Sequence, residues 1–306
     1  MAIIEIAGVP HVYELTPPSP DPAAPVLIFI HGWLLSRNYW QPLIDKLTRH
    51  YQCLIYDLRG FGDSQLPKAE RLADSADLEI ERSAYSLVAY AEDLHLMLQK
   101  LEIQKAWLIG HSLGGSIALW GASCCGAKIE GVICLNSGGG IYIKEEFERF
   151  RSAGQQLVKN RPKWLCYLPL MDWLFARAMV ARPLSRCWGR QRLIDFLRAD
   201  YEAALGSLLD STTEAEVHLL PQVVSRLSQP VYFIAGDKDS VMEPRYVRHL
   251  ASFHSLFECK GNNVIEIADC GHLSMVEQPE AVADKILSIL LAHQSDLARE
   301  SENRRI

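Results

Sequence analysis

One serine, two aspartates and one histidine stand in this chain in an order that suits acyl transfer. Ser112 is the centre of Gly110-His111-Ser112-Leu113-Gly114. A serine hydroxyl is a poor nucleophile at neutral pH, so it needs a base within hydrogen-bond reach and a third group to orient that base. Two later stretches supply candidates. One is Gly236-Asp237-Lys238-Asp239-Ser240-Val241-Met242-Glu243-Pro244, and the other is Asp269-Cys270-Gly271-His272. Ser112, then Asp239, then His272 is the chain order expected when Ser–Asp–His chemistry sits on a parallel α/β sheet. Asp237 is the rival acid, two positions from Asp239.

These residues need strands and turns to hold them. Ala106 to Ile109 is an apolar run that reads as a buried strand, and Ser116-Ile117-Ala118-Leu119-Trp120 reads as helix. A sharp strand-to-helix turn between them strains its central residue and holds that side chain clear of the backbone. Glycines two before and two after leave no Cβ to collide there. The helix also points free amides and its positive dipole end at whatever forms beside the hydroxyl. An ordinary glycine-rich turn is the bland reading of the five-residue pattern, and the flanking strand and helix favour a nucleophile elbow.

Elsewhere buried strands alternate with helices. The spacing predicts strands at Ile3 to Ile6, Val12 to Leu15, Val26 to Ile30, Cys53 to Tyr56, Val132 to Leu135, Val231 to Ala235 and Val264 to Ala268. The first two form a hairpin around Gly8-Val9-Pro10. Helices are expected over Tyr39 to His50, Glu81 to Leu101, Pro244 to Phe253 and Pro279 to about His293, followed by a frayed polar tail from Glu300. From about 141 to about 224 the alternation stops and short helices punctuated by Pro162, Pro169, Pro183 and Pro221 replace it. The chain therefore divides into an α/β core over 1–140, a helical insertion over 141–224, and the rest of the core over 225–306. Buried strands joined through helices imply a mostly parallel central sheet flanked by helices.

With 306 residues, 49% hydrophobic and 22% charged, the chain has the composition of a soluble globular enzyme. A net charge of −6 argues against nucleic acid as the main partner. The N-terminus lacks a basic n-region, and no apolar run reaches the ~18 residues of a spanning helix. Eight scattered cysteines without a C-x-x-C pair suit a reducing compartment, so a cytoplasmic location is expected. No His/Asp/Glu cluster has metal-ligand spacing and no glycine-rich loop matches a dinucleotide or phosphate site, so neither metal nor cofactor is expected.

Taken together, His31-Gly32-Trp33, the Asp57 to Ser64 loop, the elbow, Gly236 to Pro244 and Gly271-His272 resemble the α/β-hydrolase fold superfamily over nearly the whole chain. The resemblance implies Ser112 as nucleophile, His272 as general base and then acid, and Asp239 as orienting carboxylate. It implies backbone amides of Leu113 and Trp33 as oxyanion donors, and Gly236, Asp239 and Pro244 fit its acid-bearing loop better than Asp237 does. It also makes the insertion a cap that sets substrate choice. His31 and His111 are expected to be structural, as are Asp57, Arg59 and Asp63.

The cap holds Trp164, Tyr167, Leu168, Leu170, Met171, Trp173, Leu174, Phe175 and Met179, which suggests an apolar chamber. It also carries Arg149, Arg151, Arg161, Arg177, Arg182, Arg186, Arg190, Arg192 and Arg198. A solvated face is the bland reading; peripheral contact with an anionic membrane and a clamp on a carboxylate-bearing substrate are the sharper ones. The leading expectation is a serine hydrolase acting on a small-molecule carboxylic ester with an apolar portion. A second is a cofactor-free C–C eliminase or hydrolase similar to the menaquinone-pathway synthases of this fold. Those synthases often carry an arginine after the two glycines, where this chain has Ser116. A third is a ligand-binding receptor on a hydrolase fold. An aspartate-nucleophile dehalogenase or epoxide hydrolase is excluded by Ser112, and the oligomeric state is left open.

Overall fold

Val26–Ile30 is apolar at every position because both of its faces are covered. Leu27 and Phe29 pack into one apolar layer with Leu43, Leu47, Ile286 and Leu290. Ile28 and Ile30 point the other way, into a layer with Leu94, Met97, Ile117 and Leu119. This is the two-residue alternation of a strand sandwiched between helices. The computed structural model describes residues 1–65, 84–140, 144–259 and 263–303.

The strands are β1 (Ala2–Ile6), β2 (Val9–Leu15), β3 (Val26–Ile30), β4 (Cys53–Tyr56), β5 (Ala106–His111), β6 (Ile129–Leu135), β7 (Val231–Gly236) and β8 (Val264–Ile267). They form one eight-stranded sheet in the order β1-β2-β4-β3-β5-β6-β7-β8. The β1–β2 and β2–β4 pairs are antiparallel, and every later pair is parallel. The helices Leu87–Lys100 and Leu113–Cys125 cover one face; Gln41–Leu47 and the closing helix Pro279–Asn303 cover the other. The mostly parallel sheet flanked by helices is therefore the observed architecture. Its parallel strands direct the ends of β5, β7 and β8 to one rim, the place where α/β sheets gather ligands.

Several local expectations shift. The hairpin turns at Ala7 and Gly8, both with positive φ (48° and 78°), so Val9 and Pro10 already belong to β2. Pro10 is tolerated because β2 meets β4 only from Tyr13 onward, leaving its first residues paired with β1 alone. The stretch from Tyr39 splits into a 3-10 turn, Arg37–Trp40, and a helix over Gln41–Leu47 whose first turn holds Pro42. The helix expected from Glu81 begins at Leu87, where Ser86 caps it by accepting from the Ala89 amide at 3.1 Å. Residues 81–83 lie outside the described residues. The closing helix runs past His293 to Asn303, so the polar tail from Glu300 is helical as far as it is described.

Between β6 and β7 the described chain is helical: Lys144–Lys159, Met171–Phe175, Arg186–Arg198, Tyr201–Ser211 and Glu214–Arg226, with a 3-10 turn at Lys163–Tyr167. This helical insertion is anchored on the loop after β4. Gly60 accepts from the Asp200 amide at 2.7 Å, and Arg198 pairs with Asp63 at 2.8 Å. Asp57 in turn organises that loop, accepting from the amides of Arg37 (2.7 Å) and Asp63 (2.9 Å) and from the Arg37 guanidinium.

Candidate active site

Ser112 follows the last residue of β5 and precedes the helix Leu113–Cys125, with φ 52° and ψ −118°. A positive φ at a non-glycine residue is strained, and the surrounding packing maintains it. Two glycines make that packing possible. A Cβ on Gly110 would lie 2.1 Å from the Gly114 carbonyl oxygen, and one on Gly114 would lie 2.1 Å from the Ile30 carbonyl oxygen. The elbow therefore presses its own backbone against itself and against β3, which lifts the Ser112 hydroxyl off the sheet.

The loops after β7 and β8 bring the other two groups. His272 Nε2 lies 3.1 Å from Ser112 Oγ, and His272 Nδ1 lies 2.8 Å from Asp239 Oδ2. Asp239 is buried, at 3% exposure. Its other oxygen, Oδ1, accepts from the amides of Val241 (2.8 Å) and Met242 (2.9 Å). Burial alone would raise this carboxyl, but the facing His272, with the Met242 and Asn136 donors, holds it below the usual carboxylate range. Asp237, the rival acid, is exposed; its Oδ1 accepts from the Cys270 amide at 3.2 Å and steadies the turn beside the histidine loop.

Two residues that hold this arrangement carry no signal in the motifs. Asn136 directly follows β6, with φ 48°. Its Nδ2 donates to Asp239 Oδ2 at 2.9 Å and to the Gly271 carbonyl at 3.1 Å, while its Oδ1 accepts from Ser274 at 2.6 Å. Glu277 accepts from the amides of Gly271 (3.1 Å) and Leu273 (3.2 Å), and also from Ala181 (2.8 Å) in the cap. The His272 amide itself donates to the Met179 carbonyl at 2.9 Å. The histidine loop is thus pinned to the sheet through Asn136 and to the cap through Glu277. A polar residue closing an otherwise apolar strand was the available signal for Asn136.

His31 and His111 are buried supports. His31 Nδ1 lies 2.8 Å from the Gly32 carbonyl, and its Nε2 accepts from the Leu58 amide at 3.0 Å. His111 Nε2 donates to the His272 carbonyl at 2.7 Å. Its Nδ1 is a buried atom without a hydrogen-bond partner among the described residues. Burial, and secondarily His272, lowers the His111 pKa to about 3. Its folded pKa thus lies below the unfolded value of 6.5, so the unfolded chain binds the extra proton between those two values. Stability should therefore fall as pH drops from about 6.5, with roughly 2 kcal/mol lost to His111 by about pH 5. Urea unfolding across this range should show that slope, and His111→Gln should flatten it by about that amount. His31, also lowered by burial, keeps part of the slope in the variant.

Two neighbouring cavities, of about 80 and 170 Å³, share Ser112 in their linings. Both are bordered by Trp33, Phe150 and Val241; the first continues past Phe147 and Leu208, the second past Leu157, Phe175 and Phe196. The Trp33 indole is fixed by donation to the Ala204 carbonyl at 2.8 Å, so its ring forms a wall between core and cap. The backbone amide of Leu113 is the first in its helix and has no intrahelical acceptor.

The basic pattern of the cap divides. Arg151 and Arg161 donate inward to carbonyls, Arg151 to Leu209 (2.9 Å) and Arg161 to Phe196 (2.9 Å). Arg182, Arg186 and Arg198 pair with Asp269, Asp172 and Asp63. Arg192 is different: it is 4% exposed, borders the larger cavity, and donates to the Phe175 and Ala178 carbonyls. Among the described residues no carboxylate pairs with it, and burial lowers its pKa from the usual guanidinium value. Arg149, Arg177 and Arg190 are exposed.

A family model described as the alpha/beta hydrolase family matches residues 27–285. A 2-succinyl-6-hydroxy-2,4-cyclohexadiene-1-carboxylate synthase from Salmonella paratyphi C is 26% identical over 277 residues, covering 88% of this chain and 95% of that protein. Among solved structures, an esterase from Thermogutta terrifontis superposes with a TM-score of 0.70 at 21% identity, covering 95% of this chain and 97% of the other. An enol-lactonase from Burkholderia xenovorans superposes with a TM-score of 0.72 at 20% identity, covering 95% and 100%.

Proposed function

This chain belongs to the alpha/beta hydrolase family, and from that premise we propose that it cleaves a small-molecule carboxylic ester with an apolar portion through a Ser112–His272–Asp239 triad. One observation carries the reading. The hydroxyl, imidazole and carboxylate lie in a hydrogen-bonded row of 3.1 and 2.8 Å that opens into an apolar cavity.

Asp239 is an acceptor, so His272 keeps its proton on Nδ1 and presents the Nε2 lone pair to Ser112. As Ser112 Oγ attacks the ester carbonyl carbon, Nε2 takes the hydroxyl proton. The carbonyl oxygen becomes an oxyanion beside the amides of Leu113 and Trp33, donors of a kind worth roughly 3 kcal/mol each in the transition state. Collapse breaks the ester C–O bond, and His272 returns the proton to the departing alkoxide. Water then attacks the acyl-enzyme with the same imidazole as base, releasing the acid and restoring Ser112. In this reading 141–224 is the cap that selects the substrate, and 1–140 with 225–306 is the core. The Thermogutta protein that shares this fold is an esterase, which supports the same reaction class. The buried free thiols of Cys53, Cys134 and Cys270 suit a cytoplasmic location. No helix among the described residues is long and apolar enough to cross a membrane.

A second reading is favoured by one residue. Arg192 is a buried cation bordering the cavity with no carboxylate in salt-bridge contact among the described residues, and a buried charge gains from a partner that arrives with the substrate. The Salmonella relative is named for a product bearing a carboxylate. That combination supports a cofactor-free elimination on an anionic substrate by the same triad, in which His272 takes a proton from carbon and a carbon–oxygen bond to the leaving group breaks. Nitrophenyl esters of increasing acyl length separate the two readings. Ester turnover with a chain-length optimum is the expected result. No turnover on any ester, together with release of pyruvate from a succinylated cyclohexene carboxylate that carries an enolpyruvyl ether, would replace hydrolysis with elimination.

A further inference from the structure

From Lys163 to Arg190 the cap turns an apolar and cationic face outward. Trp164 is 58% exposed, Tyr167 85%, Leu170 59%, Trp173 41% and Leu174 50%. Leucines and tryptophans at these exposures within one short span form a patch rather than scattered surface residues. The same segment packs its other side down: Ala176 is fully buried, and Leu165 and Phe175 pack against the core. The exposed set is thus what remains outside after the segment has buried the residues that hold it.

The charge on this segment is mostly positive, with Asp200 and Glu202 beside Lys163, Trp164 and Tyr167 at one edge. Residues 163–190 carry Lys163, Arg177, Arg182, Arg186 and Arg190 against the single acid Asp172, in a chain of net charge −6. Asp172 and Asp269 occupy Arg186 and Arg182. Among the described residues, Lys163, Arg177 and Arg190 have no carboxylate partner. Arg177 lies over the Trp173 ring at 4.0 Å, which leaves it at the level of the exposed indole.

We propose that this face of the cap docks on the surface of an anionic lipid bilayer. Tryptophan and tyrosine suit the headgroup boundary because each has an apolar body and one polar tip. Leu170 and Leu174 would enter the acyl region, while Lys163, Arg177 and Arg190 meet anionic headgroups. Continuity with the cavity adds a reason. Met179, at 43% exposure, belongs both to the outward segment and to the border of the larger cavity at Ser112. A docked cap would bring an apolar substrate in the membrane next to that opening.

Vesicle co-sedimentation of the full chain tests docking without any turnover, so its result is independent of the ester reading. The probes are phosphatidylcholine vesicles with and without phosphatidylglycerol. The wild type should partition roughly tenfold or more better onto the anionic vesicles, with the advantage lost in high salt. Trp164→Ser with Tyr167→Ser and Trp173→Ser should cut that partitioning about tenfold or more, and so should Lys163→Glu with Arg190→Glu. None of these side chains borders the cavities at Ser112, so turnover of a water-soluble ester should stay at the wild-type level and show that both variants are folded. Equal partitioning onto neutral and anionic vesicles would overturn the proposal, as would variants that partition like the wild type. A wild type that ignores vesicles and forms a dimer that the triple variant loses would assign the face to a second copy of the chain.

Discussion

Ser112→Ala should lower ester turnover by about 10⁴-fold or more while leaving substrate binding nearly unchanged. The expected effect is large because in the proposed reaction the hydroxyl is the atom that forms the acyl bond. His272 remains held by Asp239 at 2.8 Å in the variant, and the Leu113 amide keeps its place at the head of its helix. What survives is binding and oxyanion stabilisation of a direct attack by water. The fold should tolerate the change, since the side-chain contact of Ser112 is the 3.1 Å approach of His272 and its strained φ is imposed by Gly110 and Gly114 packing. Steady-state kinetics with a nitrophenyl ester, beside mass spectrometry after a fluorophosphonate probe, gives two readouts. Wild type should gain one probe adduct on the Ser112 peptide and the variant none. A variant that keeps its turnover would remove Ser112 from the chemistry. A wild type with no turnover that still binds ligand as the variant does would point to a receptor.

The elements that meet at the candidate site were legible because their information is local. Gly110 and Gly114 flank Ser112 within five residues, and the apolar runs of β3 and β5 declare strands covered on both faces. Asp239 and His272 were legible for the same reason, each in a short loop directly after a strand. Asn136 was hidden because its meaning lies in partners far along the chain: Asp239, Gly271 and Ser274 reach it only once β6 and β7 are paired. Glu277 was hidden for a related reason, since it accepts amides from both its own loop and the cap. The arginines show the limit most clearly. In sequence they form one basic pattern, yet Arg161, Arg192 and Arg198 end on carbonyls or an aspartate supplied by other segments. Local periodicity carries no record of those partners. The second strand begins three residues earlier than expected, at Val9 rather than Val12, because proline reads as a strand breaker, whereas the first residues of β2 meet a partner on one side alone.

Asp239→Asn should cost on the order of 10⁴-fold in kcat, and Asp237→Asn only a few-fold, which separates the two acids by measurement. The reason lies in what each oxygen of Asp239 does. Oδ1 accepts from the Val241 and Met242 amides, so an asparagine keeps its carbonyl oxygen there. Its NH₂ group then falls where Oδ2 was, facing His272 Nδ1 and Asn136 Nδ2. A donor in that position forces the imidazole to accept at Nδ1, which moves the ring proton to Nε2 and points it at Ser112. The base has then lost the lone pair it needs. Two NH₂ groups facing each other in a buried site add a stability loss of about 1–3 kcal/mol. Asp237→Asn meets none of this, because an amide oxygen still accepts from Cys270 and the side chain is in water. Kinetics and urea unfolding on the two variants read both effects. Comparable kcat losses in the two would mean that the loop, rather than the carboxylate facing His272, sets the rate. A kcat loss confined to Asp237→Asn would move the acid role to that residue.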